Sequence, residues 1–208
     1  MTVRLCALCA LIEKTKSFID VGCDHGYVVK YVSDNKLAAS ITACDISAPS
    51  LDKARALLGE NCGVRFVCAD GKHAASGHET VLISGMGGIE IVEIIGGCNP
   101  KTFILSPQSH ARDVRKTLLE KNYRIEFDRV VYDGKYYDVI KATLGGGTDM
   151  LKGASASRLK YGMFLNVKND ALVNKLRSLE KAVASYPPTA ANLQKLENIK
   201  EALSWQLR

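Results

Sequence analysis

The sequence predicts an α/β fold: a mostly parallel sheet covered by helices on both faces, closed by an antiparallel hairpin and followed by a helical hairpin. Three observations carry that reading. Short apolar runs alternate with longer helix-periodic stretches as far as residue 145. The last two β-type runs are separated only by Gly134 and Lys135. Beyond a glycine-rich stretch, the apolar residues fall into stripes of helical spacing.

In chain order, "LCALCALI" at 5–12 runs straight into "EKTK" without a small-residue cleavage site, so it reads as an amphipathic first helix and not a leader. Strand patterns follow at 17–22, 40–46, 64–70, 80–85 and 102–107, with helical patterns at 26–36, 47–58, 87–95 and 110–121 between them. Strands this continuously apolar, joined by helical crossovers, are those of a parallel sheet buried on both faces. The runs at 123–133 and 136–144 form a hairpin, which places an antiparallel strand at the end of that sheet. "GGGTDMLKG" at 145–153 reads as a linker, dividing a domain at 1–147 from a helical unit at 148–208. There 154–186 and 189–207 are helical on either side of Pro187 and Pro188. Leu172, Leu176, Leu179 and Val183 form one stripe, and Leu193, Leu196, Ile199, Leu203 and Leu207 the other. Two stripes joined by so short a connection make a coiled-coil-like antiparallel pair, too short to stand without leaning on the first domain.

Composition narrows the function. No apolar stretch reaches the ~20 residues of a membrane span. Seven cysteines, an odd number, do not make a disulfide framework. The Cys6–Cys9 pair has no second pair to complete a zinc site, so both read as small core residues and no metal is expected. The expected compartment is the reducing cytoplasm. Residues 1–100 carry a net charge of −2 and residues 101–208 a net of +8. That asymmetry suits a polyanionic partner or, equally, a solvated basic face.

The ends of the first strands carry the chemistry. A dinucleotide site needs Gly-x-Gly-x-x-Gly after the first strand. Here the turn reads Gly22-Cys23-Asp24-His25-Gly26, with a carboxylate where a pyrophosphate would lie. A negative charge repels a diphosphate and attracts a cationic amino-acid end. S-adenosylmethionine has an ammonium, a sulfonium and no phosphate. Its ribose suits the carboxylate Asp45 in "ACDIS", and its adenine amino group suits Asp70 in "CADG". With Asp20 and Asp24, these acids at three successive strand ends fit a Rossmann-like class I methyltransferase better than a nicotinamide enzyme. Single acids at such positions also cap helices. After the fourth strand, Gly85, Gly87 and Gly88 leave main chain free to face a flat base, or simply serve a tight turn.

"IDVGCDHGYV" (19–28), "ACDIS" (43–47), "CADG" (68–71) and "ISGMGG" (83–88) resemble the TrmK family, bacterial tRNA (adenine(22)-N1)-methyltransferases. "LSPQSHARDVRKTLLEKNYRI" (105–125) and "DGKYYDVIKA" (133–142) extend the resemblance over nearly the whole chain. It implies S-adenosylmethionine as cofactor, tRNA as partner and a helical C-terminal domain that grips it. By position, Asp20, Gly22, Asp24 and Gly26 line the methionine end, Asp45 and Ile46 the ribose, and Asp70 and Gly71 the adenine. Asp24, His25, Tyr27 and the run Gly85, Met86, Gly87 and Gly88 face the target base, with Gly85 also touching cofactor. Cys23 and Gly26 depart from the serine and alanine common in the family, and the tail is somewhat short.

Adenine N1 is already nucleophilic, so the implied reaction needs alignment more than a strong base. Arg112, Arg115 and Lys116, with Arg158, Lys160, Lys168, Lys175, Arg177 and Lys181 on the tail, are the expected phosphate contacts. The chain is expected to act as a monomer. The residues alone leave open another RNA base, a protein acceptor, or a non-catalytic RNA-binding module on the same fold.

Overall fold

A computed structural model describes residues 1–59 and 62–208. The sheet is built from β1 (Thr15–Val21), β2 (Ala38–Asp45), β3 (Val64–Cys68), β4 (Thr80–Ser84), β5 (Thr102–Ser106), β6 (Tyr123–Asp133) and β7 (Lys135–Leu144). Its order is β3-β2-β1-β4-β5-β7-β6. The first five strands are parallel, and β7 is antiparallel to both neighbours. The chain builds outward from β1 in one direction to β3, then restarts at β4 on the other side. That reversal opens a crevice beyond the carboxyl ends of β1 and β4.

Both faces are covered. Ile19 and Val21 of β1 enter a core with α5 (Gly88–Gly97) and α6 (Ala111–Glu120). Phe18, one step out of phase, enters the opposite core with α1 (Val3–Cys9), α2 (Tyr27–Asp34) and α3 (Ala48–Leu58). This is why the buried end of β1, from Phe18 to Val21, is apolar on both faces except at Asp20. Of the Cys6–Cys9 pair only Cys9 is in the core; Cys6 is exposed. Among the described residues no helix is long and apolar enough to cross a membrane.

Three expectations meet different outcomes. First, the parallel strands do end in the antiparallel hairpin, with β7 beside β5 and β6 at the edge. The edge is blunted by a register shift at Ile125/Phe127 and by exposed Arg124, Glu126 and Arg129. Second, the expected linker is an ordered part of the core. Residues Gly147–Lys152 form α7, Gly147 donates its N–H to Asn122 Oδ1 at 3.0 Å, and a Cβ there would strike the Tyr123 backbone. Met150 and Leu151 then pack on the α6 side of the sheet. The glycine marks close approach, not flexibility. Third, the first tail helix is broken. α8 (Ala156–Tyr161) stops at Gly162, whose φ is 133°, and α9 (Asp170–Ala184) starts afresh with Asn169 capping Leu172 N. α9 and α10 (Ala190–Gln206) bury Leu172, Leu176, Ile199 and Leu203 with Val130 and Tyr161; Leu193 and Leu207, at the ends of the stripe, stay exposed.

One buried charge network ties these pieces together. Arg115 is fully buried on α6 and meets Asp128 of β6 through Nε and Nη2 at 2.7 and 2.8 Å. It also meets Asp138 of β7 at 2.6 Å and the carbonyls of Leu159 and Lys160 at 3.3 Å. Lys175 of α9 donates to the other oxygen of Asp138 at 2.9 Å, and Met163 N–H donates to Asp128 at 2.8 Å. Burial alone would lift the Asp138 carboxyl, but Arg115 and Lys175 hold it below its ordinary range. Arg115 is therefore no phosphate contact, contrary to the sequence expectation, since no part of it reaches solvent. Lys175 is largely committed to the same network.

Replacing one member strands the others in a low-dielectric interior. Arg115→Met should cost ~3–5 kcal/mol in urea unfolding, and Lys175→Met distinctly less because that end is partly solvated. Equal losses would contradict this ranking.

Candidate functional site

The site grows from the end of β1. Asp20 is 2% exposed, and its Oδ1 has no hydrogen-bond partner among the described residues. Burial first, then the charge of Asp45, pushes its carboxyl up to about 7, with Arg4 pulling the other way. Gly22 turns the chain at φ 76°, and its N–H and that of Cys23 both donate to Cys44 O, at 2.8 and 3.0 Å. Asp24 follows at φ 44°, a strained value for a residue with a side chain. Its N–H donates to Asp45 Oδ2 at 3.0 Å, and its carboxylate holds His25 Nδ1 at 2.7 Å. The His25 ring in turn stacks with Tyr27, centroids 5.8 Å apart. At Gly26, φ is 76° and a Cβ would come within 2.9 Å of Ala54 Cβ on α3, so glycine is required here whatever relatives carry.

Two adjoining cavities follow, of about 420 and 340 Å³, sharing Gly22, Asp45 and Met86 as walls. The first is lined by Asp20, Asp24, His25 and Tyr27, and faces Arg4 and Gln108. The second is lined by Asp45, Ile46, Asp70 and Gly71. The structure thus brings together every pocket residue expected from the sequence except Gly26, Gly87 and Gly88. Gly88 serves packing, as Gly26 does: a Cβ there would strike the Ser109 carbonyl, while one on Gly87 would meet only the movable end of Glu90. Gly71 also has a packing role, since a Cβ would overlap Val21. Asp70, a wall of the second cavity, caps α4 (Gly71–Ala74) by accepting from Lys72 N at 2.9 Å through Oδ1.

Two pocket residues were not foreseen. Arg4 of α1 comes from the far end of the sequence; its Nη1 is buried, lacks a partner among the described residues, and its guanidinium lies 4.8 Å over Tyr137. Gln108 donates Nε2–H to Gly85 O at 2.7 Å and its backbone N–H to Met86 O at 3.0 Å. These main-chain carbonyls, expected to face a base, are already taken. The "SPQS" string held the signal, but only the fold sets Gln108 against Gly85.

The arrangement suits a zwitterionic, amino-acid-like end between orphaned Asp20 and Arg4. Each Asp45 oxygen already accepts one backbone N–H, from Asp24 and from Ser47, and keeps a lone pair for a vicinal diol. Carboxylates around both cavities exclude a diphosphate. Among the described residues no group of three or more His, Cys, Asp or Glu could hold a metal ion.

The expected cations divide. Arg112, Lys116, Lys168, Arg177 and Lys181 are exposed, and Arg158 and Lys160 half-buried over Trp205 and Tyr161. Lys160 has its ammonium pushed below the ordinary range by burial, then by Lys195 and Arg112. Three cations from α6, α8 and α10 therefore share one field, and Lys195 joins the set without having been expected. Such a shared positive field attracts anions.

The "Methyltransferase domain" family model matches residues 1–140. A Mycoplasma pneumoniae protein provisionally named a tRNA methyltransferase is 30% identical over 139 residues, 64% of this chain and 65% of that protein. The match thus spans less than two thirds of that relative. The crystal structure of the B. subtilis m1A22 tRNA methyltransferase TrmK is 25% identical, with a TM-score of 0.76 over 100% of this chain and 97% of that one. That of M. capricolum TrmK with S-adenosyl-homocysteine is 20% identical, with a TM-score of 0.82 over 99% and 98%.

Asp20 sets a pH signature. Its folded-state value, about 7, lies above the ordinary 3.8, so the fold favours the protonated form. That contribution is complete below the unfolded value and is lost as pH rises through about 7. In urea unfolding from pH 5 to 8, the Asp20→Asn protein should gain stability relative to the parent as pH increases. A constant difference between the two would show that burial does not favour the protonated form.

Proposed function

Because the chain belongs to the methyltransferase-domain family, we propose that it transfers a methyl group from S-adenosylmethionine to N1 of adenine 22 in tRNA. The observation that carries the cofactor half is the buried, unpartnered Asp20 oxygen facing Arg4 at the crevice beyond β1 and β4. The tRNA half is supported by likeness to a TrmK structure along the whole chain, tail included, and by the positive field that Arg112, Lys160 and Lys195 share. In this reading the enzyme is a cytoplasmic monomer, and the unit from 148 onward grips the RNA.

When bound, the cofactor supplies an electrophilic methyl group on a sulfonium. The chain supplies position. Asp20 takes the ammonium and Arg4 the carboxylate; Asp45 holds the ribose hydroxyls; Asp70 accepts from the adenine amino group, with the exposed Ile46 side chain as an apolar cover. Met86, a wall of both cavities, would be an apolar contact for the bound cofactor between them. The target N1 carries its lone pair in the ring plane and needs no general base, so alignment and exclusion of water supply the acceleration. Because N1 lies on the pairing edge, the base has to leave its stack, at a cost of a few kcal/mol. Tyr27, 47% exposed and backed by His25, offers a ring for it to stack on. With Nδ1 tied to Asp24, His25 turns Nε2 toward the base edge. The methylated ring is cationic, and the Asp24 carboxylate at the rim favours that charge.

Unmodified tRNA incubated with the protein and labelled S-adenosylmethionine should yield 1-methyladenosine at position 22. Label in another nucleoside would change the acceptor, and cofactor binding without transfer would leave a binding module. Since the ammonium needs an ionised Asp20, cofactor affinity by calorimetry should rise about tenfold per pH unit below ~7 and level off above it. The Asp20→Asn protein should bind weakly at every pH.

A further inference from the structure

The β6–β7 hairpin runs past the sheet it belongs to. β7 starts at Lys135, yet its pairing with β5 begins only where Ile140 meets Leu105. At ~3.4 Å per residue the intervening stretch projects about 17 Å beyond β5, on the side where both cavities open.

The tip does not hang free. Asp133 accepts from Arg4 N–H at 3.3 Å, and the Thr2 hydroxyl, with the N–H groups of Arg4 and Val3, holds its carboxyl below the ordinary range. The hairpin end thus caps the start of α1. Its two faces differ in use. On one, Tyr137 lies under the Arg4 guanidinium at 4.8 Å and the Lys135 ammonium at 5.1 Å, and Arg4 is a wall of the first cavity. On the other, Tyr132 and Tyr136 meet at 5.1 Å; Tyr136 rests on the tail cluster, while Tyr132 is left 56% exposed. A rigid projection carrying an open aromatic ring and an exposed ammonium therefore links the cavity wall to the tail.

We infer that this tip seats the RNA strand beside the target nucleotide, with Tyr132 stacking on an unpaired base and Lys135 meeting a neighbouring phosphate. The inference rests on the RNA substrate proposed above and adds the element that positions it. Every base offers a π-face, so one exposed ring accepts whatever nucleotide flanks the target, and an ammonium on the other face of the same tip matches the backbone charge. Because the tip is latched to α1, the seat and Arg4 move together, which fixes the seated strand relative to the cavity.

The test is binding of unmodified tRNA to the full-length protein without cofactor, by fluorescence anisotropy across a salt series. Tyr132→Ala should weaken binding about tenfold, and Tyr132→Phe, which keeps the ring, should stay near the parent. Lys135→Ala should lower the slope of log affinity against log salt by roughly one. Affinity for S-adenosylmethionine should be unchanged in all three. If Tyr132→Ala and Lys135→Ala bind as tightly as the parent with the same salt slope, the tip is not a seat. Should Tyr132→Ala fail to fold, the Lys135→Ala slope decides alone. A parent protein that does not bind tRNA at all would overturn the substrate reading itself, and this inference with it.

Discussion

Arg115 cannot be moved without consequence, because five segments converge on its guanidinium. It stands on α6, grips β6 and β7 through two carboxylates, donates to the last carbonyls of α8, and shares Asp138 with Lys175 of α9. A buried ion network is not evidence of extra stability, since desolvating the charges offsets most of the attraction. What it does is forbid alternatives: any other docking of the tail would leave a charge buried and alone. The tail is therefore a fixed surface of the molecule. It presents its cations at a set distance from the crevice and does not act as a flexible arm.

The opposite electrostatic choice is made in the crevice. Asp20, Asp24, Asp45 and Asp70 gather at the strand ends, with Arg4 beside the first of them and Lys72 in the wall of the second cavity. Acids within, cations outside: the pocket attracts a positive ligand, while the surrounding surface attracts a polyanion. In the proposed function, separating the two fields keeps the cationic cofactor and the polyanionic substrate from competing for one site.

Much of this was legible because the fold obeys local rules. Helix-periodic stretches between apolar runs placed all seven strands, and the acids at the strand ends identified the crevice before any coordinates. The failures have physical reasons. Arg115 was read as a surface cation, although it sits three and four residues before Leu118 and Leu119, on the buried stripe of α6. Residue type was given more weight than phase. The glycines at 145–147 were read as slack, when Gly147 is there because the Tyr123 backbone leaves no room for a side chain. Arg4 and Gln108 had no local signature. Each becomes a pocket residue only through contacts across the whole chain.

The cap that Asp133 places on α1 joins residues 129 positions apart, and Lys141 reaches back to Glu13 over 128. During synthesis the amino-terminal segment thus leaves the ribosome on the order of ten seconds before its anchor exists. Arg4 can be locked against the crevice only once the final two strands have emerged and turned inward. The crevice thus acquires its Arg4 wall only when nearly the entire sheet is assembled.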